Sequence, residues 1–170
     1  MSFIGNENGR GFEPGWFLAN NEDCTRETRE LTQAMAVTLD DGQKVVKMGT
    51  AYPSNDANAI GIIYEDINVT DGNLPGSVVT KGEVYEDRLA ITGVDYSAVT
   101  PETGDNPAEE GWYERSGSAG SYVYTKTTDT TVQDGTTYYE QIDVRLAAAA
   151  KTALQALGFK FRTVPTVTRP

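Results

Sequence analysis

Carboxylates are the only abundant side chains in this sequence with a capacity for acid–base or metal chemistry. The chain has 25 acidic residues, no histidine and one cysteine, Cys24. The lack of histidine removes the commonest general base, the usual catalytic triads and most zinc and iron sites. Because Cys24 has no cysteine to bond and no imidazole to activate it, we interpret it as an inert thiol.

Two groups of carboxylates have spacings that can be compared with known chemistry. Glu109 and Glu114 resemble the acid pair of a glycosidase, but they lie in a Gly- and Pro-rich stretch where acids are usually solvated. Glu65, Asp66 and Asp71 invite a calcium site, but their spacing does not match an EF-hand loop, so a solvated turn is favoured. The sequence therefore predicts no enzyme, no metal site and no cofactor.

Charge and hydropathy narrow the range of partners. The formal net charge is −11, which argues against nucleic acid and against anionic membranes, since both are bound through Lys and Arg. No apolar run approaches the length of a membrane span, and the first residues, MSFIGNENGR, do not resemble a signal peptide. We expect a soluble protein made in a reducing cytoplasm.

The elements that would position any site are mostly strands. Asp41-Gly42 predicts a hairpin, and Thr25–Gln33 fits either a strand or a helical turn. One helix is predicted over 143–158, with Asp143 as its N-cap and Gly158 just beyond its C-terminus. The other predicted strands are 34–39, 44–48, 59–64, 77–85 and 159–164. This pattern predicts a mainly β (α+β) fold: a compact β-rich domain (25–92 plus 141–170) with one C-terminal Ala-rich helix.

Residues 1–24 are predicted to form an extended N-terminal arm. The segment is rich in glycine, which disfavours a regular element, yet its aromatic residues are unusual for a disordered chain. Two interpretations remain open: the apolar side chains dock on the protein's own core, or they become ordered on a partner's surface. The residues concerned are Phe3, Ile4, Phe12, Trp16 and Phe17.

Residues 93–140 are interpreted as a small inserted β-hairpin module. Between Gly93 and Glu114 there are six acids and no base, and Asp134-Gly135 predicts a further hairpin. The segments GWYE (111–114) and TYYE (137–140) form a weak internal repeat. The module's aromatics either pack across strands or face outward and stack on sugar rings. They are Trp112, Tyr113, Tyr122, Tyr124, Tyr138 and Tyr139, with Trp112, Tyr113, Tyr138 and Tyr139 as the candidate ligand surface.

Without this insertion the remaining segments form one recognisable series. A strand ending in an acidic turn is followed by a glycine-led strand, and then by an Ala-rich helix that ends in Gly and an apolar residue. The segments are GTAYP (49–53), AIGIIYEDINV (59–69), GEVY (82–85) and AAKTALQALGF (149–159). This order resembles the lambda-type head decoration and head-fibre proteins of tailed bacteriophages, over about half of the chain.

The resemblance implies a structural protein of the virion, located on the outer surface of the capsid. A homotrimer would bind the major capsid protein at the three-fold positions of the expanded shell and stabilise the head, with the N-terminal arm ordered against the shell. The alternative is a head appendage or surface module that recognises a host-surface carbohydrate through the aromatic insertion.

Overall fold

The structure is a computed structural model, and it describes residues 13–164. It is mostly β, with four sheets and two α-helices, so the predicted mainly β (α+β) class is confirmed. The strands are β1 (Thr25–Leu31), β2 (Val37–Thr38), β3 (Lys44–Val46), β4 (Ala51–Tyr52), β5 (Gly61–Ile63), β6 (Ile67–Asn68), β7 (Leu74–Lys81), β8 (Glu83–Tyr85), β9 (Gly93–Ala98), β10 (Tyr113–Ser116), β11 (Val123–Lys126), β12 (Tyr138–Val144) and β13 (Lys160–Arg162); the helices are α1 (Pro107–Glu110) and α2 (Ala148–Ala156).

The chain divides into two compact units. Unit 1 comprises the residues up to Thr92 and those from Arg145 onward, and unit 2 is Gly93–Val144. Unit 2 ends four residues beyond the predicted insertion, because β12 continues to Val144 and pairs with β9 along that length. No helix in the described range is long and apolar enough to span a membrane.

Unit 1 is built on a four-stranded sheet with the order β1-β7-β5-β4. Ile62 pairs with Val79, and Ile63 pairs with Val78. Successive strand residues point to opposite faces, so each pair belongs to a different apolar cluster. The first cluster also contains Phe17, Leu154 and Phe159, and the second contains Leu31, Val46 and Val69. Burial on both faces explains why this part of the sequence is a continuous apolar run rather than an alternating one.

Two smaller sheets complete unit 1. The order β2-β3-β6 includes the hairpin predicted at Asp41-Gly42, and β13 pairs in parallel with β8. The segment Thr25–Gln33, which the sequence left open, forms β1 and the start of a 3₁₀ turn.

Helix α2 begins later than predicted. Asp143 is the penultimate residue of β12 rather than an N-cap, because its backbone is already paired with β9, and Ala147 takes the cap position without a side-chain hydrogen bond. The C-terminus matches the prediction. Gly158 has φ of +97° and donates to the Gln155 carbonyl at 3.0 Å, while the Phe159 N–H donates to the Leu154 carbonyl at 3.1 Å. This pair of bonds is a Schellman motif.

Unit 2 is a four-stranded antiparallel sheet with the order β11-β10-β12-β9. A turn occurs at Asp134-Gly135, but β11 and β12 do not pair with each other, so the predicted hairpin is wrong. Both strands pair with β10 instead, on its two sides. The repeated segments 111–114 and 137–140 thus lie side by side, since Tyr113 pairs with Tyr139 and Glu114 with Tyr138.

Candidate functional site

Two surfaces of the described chain have the character of binding sites, one in each unit. The first is the β1 edge, defined as the outer side of Thr25–Leu31. Strand β1 pairs with β7 along its whole length and has no strand on its other side within the described residues. Six of its seven residues are exposed, and only Leu31 is buried. A long strand with both faces and one edge open offers backbone donors and acceptors to another chain.

The charged side chains of the β1 edge sum to zero net charge, and some of them are restrained by contacts. Arg26 and Arg29 alternate with Glu27 and Glu30, so the strand is neutral in a protein of net charge −11. Arg29 forms an ion pair with Glu27 on the same strand, and the Arg26 guanidinium lies 4.4 Å from the Tyr64 ring centroid. Such restraint lowers the side-chain entropy that would be lost when a partner binds.

The described part of the predicted arm is attached to unit 1. Phe17 is fully buried in the first apolar cluster, as the core-docking interpretation expects. Trp16 is 43% exposed, and the Arg88 guanidinium lies 4.3 Å from its ring. Phe3, Ile4 and Phe12 lie outside the described residues.

The second surface is one face of the unit 2 sheet, which we call the tyrosine face: Tyr96, Tyr113, Tyr124, Tyr139, Arg115 and Lys126. Cross-strand partners point to the same side of a sheet, and the register places these six side chains together. Tyr96 stacks on Tyr124 with ring centroids 3.9 Å apart. The chain of ring contacts continues from Tyr96 to Tyr113 at 5.1 Å and from Tyr124 to Tyr139 at 5.2 Å.

Charge is unevenly divided between the two faces of this sheet. Unit 2 has ten acids and only two bases, Arg115 and Lys126, and the register places both bases on the tyrosine face. Among the strand residues of that face only Asp143 is acidic, whereas Asp95, Glu114 and Glu140 point to the opposite face. The tyrosine face is therefore a cationic patch on a strongly acidic unit.

The candidate ligand surface predicted from the sequence is mostly interior. Trp112, Tyr138 and Tyr139 are 9%, 0% and 6% exposed, and Tyr113 is half-buried. The Trp112 ring packs on Tyr138 with centroids 5.7 Å apart. These positions match the cross-strand packing alternative. Tyr96 was not among the predicted aromatics. The available indication was its position two residues after Val94, because alternate residues of a strand lie on the same face.

Tyr138 is held by a small polar network on the opposite face from Tyr139. Its hydroxyl donates to Asp129 Oδ2 at 2.6 Å and accepts from the Gln133 N–H at 3.1 Å. Burial raises the pKa of Tyr138, and the neighbouring Asp129 carboxylate raises that pKa further. The phenol therefore stays neutral to higher pH than an exposed tyrosine.

Two of the carboxylates singled out from the sequence, Asp66 and Glu114, serve local structure. Asp66 accepts the Met48 N–H at 2.6 Å and lies 4.0 Å from Lys47, and Glu114 accepts from the Thr127 hydroxyl. Over residues 13–164, no three Cys, Asp or Glu side chains are grouped so that they could hold a metal ion. The half-buried Cys24 thiol donates to the Asn21 carbonyl at 3.3 Å.

Comparisons with known proteins return no match among protein-family models, curated proteins or solved structures. The resemblance to phage decoration proteins therefore rests on the sequence segments alone.

Proposed function

We propose that this chain is a structural protein of a tailed-phage virion, which binds the outside of the expanded capsid and stabilises the head. The observation that carries the proposal is the β1 edge, a seven-residue strand open on both faces and along one side. Strand addition by a partner would satisfy its outward backbone groups. The order of the decoration-like segments supports the same assignment.

The charges of β1 fit a specific partner better than indiscriminate pairing. Charged side chains on an edge strand suppress aggregation, so a partner must complement Arg26, Glu27, Arg29 and Glu30 to bind there. Because these charges cancel, the β1 edge itself adds no net attraction or repulsion towards a shell of either sign. We assign this edge to contact with the major capsid protein.

Binding only to the assembled, expanded lattice would stabilise that lattice by mass action. Trimers at three-fold positions would add avidity, because each copy brings its own contact to one shell. The trimer is supported by the resemblance, and the protein would be made in the host cytoplasm before it joins the head.

The β1 edge can be tested on expanded shells of the cognate capsid protein by co-sedimentation. The double variant Glu27→Lys/Glu30→Lys reverses the two negative charges of β1. The matched control is Asp40→Lys/Asp134→Lys, which makes the same change in net charge at two exposed turns. We expect binding about tenfold weaker or worse for the β1 variant, and unchanged or slightly altered for the control. Equal binding by both variants would remove β1 from the contact.

The contribution of the N-terminal arm is tested separately by deleting residues 1–12. The deletion must stop there, because Phe17 and Leu18 are buried in the core of unit 1. If the arm becomes ordered on the shell, the shortened chain binds more weakly while its unfolding midpoint is unchanged. Undiminished binding would exclude residues 1–12 from the contact.

A further inference from the structure

The tyrosine face holds two cations that no carboxylate of the described chain neutralises. The Arg115 guanidinium lies 4.3 Å from the Tyr122 ring centroid and 5.0 Å from the Tyr139 ring centroid. Neither Arg115 nor Lys126 forms an ion pair or a side-chain hydrogen bond anywhere in residues 13–164, although unit 2 contains ten acids. The aromatic contacts hold the guanidinium in place while leaving its N–H donors available.

Phenol hydroxyls share this side of the sheet with the two cations. In the described part of the chain, the hydroxyls of Tyr96, Tyr122 and Tyr124 make no hydrogen bond, whereas that of Tyr113 donates to Gln141 at 3.0 Å. Tyr96 and Tyr124 are half-buried and Tyr122 is 43% exposed. Ring edges, free phenol hydroxyls and an available guanidinium are thus presented on one side of the sheet.

We propose that the tyrosine face binds an oligosaccharide that carries an isolated carboxylate, as a sialate or hexuronate terminus does. Arg115 pairs with the carboxylate in the forked geometry that guanidinium groups favour, and Lys126 adds a second positive charge. The tyrosine hydroxyls exchange hydrogen bonds with sugar hydroxyls, and Tyr122 offers an exposed aromatic surface to a pyranose ring.

The charge of unit 2 selects this ligand over other anions. A nucleic acid or a polyacidic peptide would bring many negative charges towards ten carboxylates and only two bases, and repulsion would oppose its binding. A saccharide with a single carboxylate would place that one negative charge against Arg115 and Lys126. The rest of the saccharide is neutral, so the acids of unit 2 do not repel it. Unit 2 would bind such a saccharide whether or not unit 1 binds a capsid.

The test uses the full chain and a panel of sialate- and hexuronate-terminated oligosaccharides, each compared with its own methyl ester, by titration calorimetry or on a glycan array. We expect at least one acid to bind and its neutral ester to bind about tenfold more weakly or not at all. Failure of every acidic saccharide to bind would overturn the proposal, and so would equal binding of the esters or of hexaglutamate.

The variant Arg115→Gln/Lys126→Gln removes both charges and leaves a shorter, neutral polar side chain at each position. Lys81→Gln/Lys160→Gln is the matched control, because both lysines are exposed in unit 1 and make no ion pair within residues 13–164. We expect binding to be lost in the first variant and retained in the second, with both variants folded by near-ultraviolet circular dichroism. Retained binding in the first variant would contradict the assignment of Arg115. If the first variant does not fold, Arg115→Lys, which keeps the charge but not the forked geometry, is measured instead and is expected to weaken binding.

Discussion

Tyr96 and Tyr124 come from β9 and β11, the two edge strands of the unit 2 sheet, yet their rings stack 3.9 Å apart with only 5° between their planes. The two strands between them, β10 and β12, share only two residue pairs. The stack therefore joins the β10–β11 pair of strands to the β9–β12 pair beyond their short common ladder. It also explains the burial of Tyr139, whose ring contacts Tyr124.

The first prediction concerns this stack. In a double-mutant cycle, Tyr96→Ala and Tyr124→Ala should show a coupling of about 0.5–1.5 kcal/mol in the free energy of unfolding of unit 2, because each change removes the same ring contact. The two tryptophans allow the measurement, since Trp112 reports unit 2 once Trp16 is replaced by Phe. A cycle between Tyr96 and Tyr122, which share no ring contact, is the control; equal coupling in both cycles would contradict a direct stack.

The second prediction is the alkaline sensitivity of unit 2. Burial raises the pKa of Tyr138 in the folded state, so the folded protein keeps this proton where the unfolded chain has lost it. The stabilisation is complete below the usual tyrosine pKa of about 10 and is lost as the pH rises above that value. Tyr138→Phe should reduce the fall of the unfolding midpoint as the pH rises above about 10. An unchanged slope would show that Tyr138 does not account for the alkaline sensitivity.

The third prediction separates two adjacent aromatics of the N-terminal segment. Phe17→Ala should lower the free energy of unfolding of unit 1 by about 3–5 kcal/mol, because it leaves a cavity in the core. Trp16→Ala should cost less than Phe17→Ala, because the Trp16 side chain is 43% exposed and its contact with Arg88 is worth about 0.5–1 kcal/mol. Urea unfolding followed by circular dichroism measures both. Similar costs for the two variants would mean that Phe17 is not a core residue.

The fourth prediction concerns the close approach of β5 and β7. A Cβ atom on Gly61 would lie 2.5 Å from Val78 Cγ1 and 2.5 Å from the Val79 carbonyl oxygen. Gly61→Ala should therefore destabilise unit 1 by about 1–3 kcal/mol through overpacking. Gly93→Ala is the control, since no atom lies within 4 Å of its Cβ position, and its effect on thermal unfolding should be small. A neutral Gly61→Ala would show that the two strands can separate without cost.

Local patterns predicted the fold class, the hairpin at Asp41-Gly42 and the helix C-terminus, because each depends on neighbours in sequence. Turn dipeptides and a C-terminal glycine act over a few residues. The errors arose where distant pairing decides the outcome. Asp143 looked like a helix cap but is held in β12 by β9, and Asp134-Gly135 looked like a hairpin although β10 lies between the two strands.

The candidate site was predicted less well for the same reason. The sequence shows which residues are aromatic, but it does not show which face of a sheet each occupies or what covers that face. The adjacent residues Tyr138 and Tyr139 point to opposite sides and are both buried, one by Trp112 and Asp129 and the other by Tyr124. Tyr96 joins the tyrosine face only through the pairing of β9 with β12, at 45 residues from Gln141 in the chain.

The most direct test of the proposed function is co-sedimentation of the intact chain with expanded and with unexpanded shells of the cognate capsid protein. We expect saturable binding to expanded shells, little binding to unexpanded ones, and a higher thermal midpoint for the shells that have bound the protein. Failure to bind expanded shells, or equal binding to both forms without stabilisation, would contradict it.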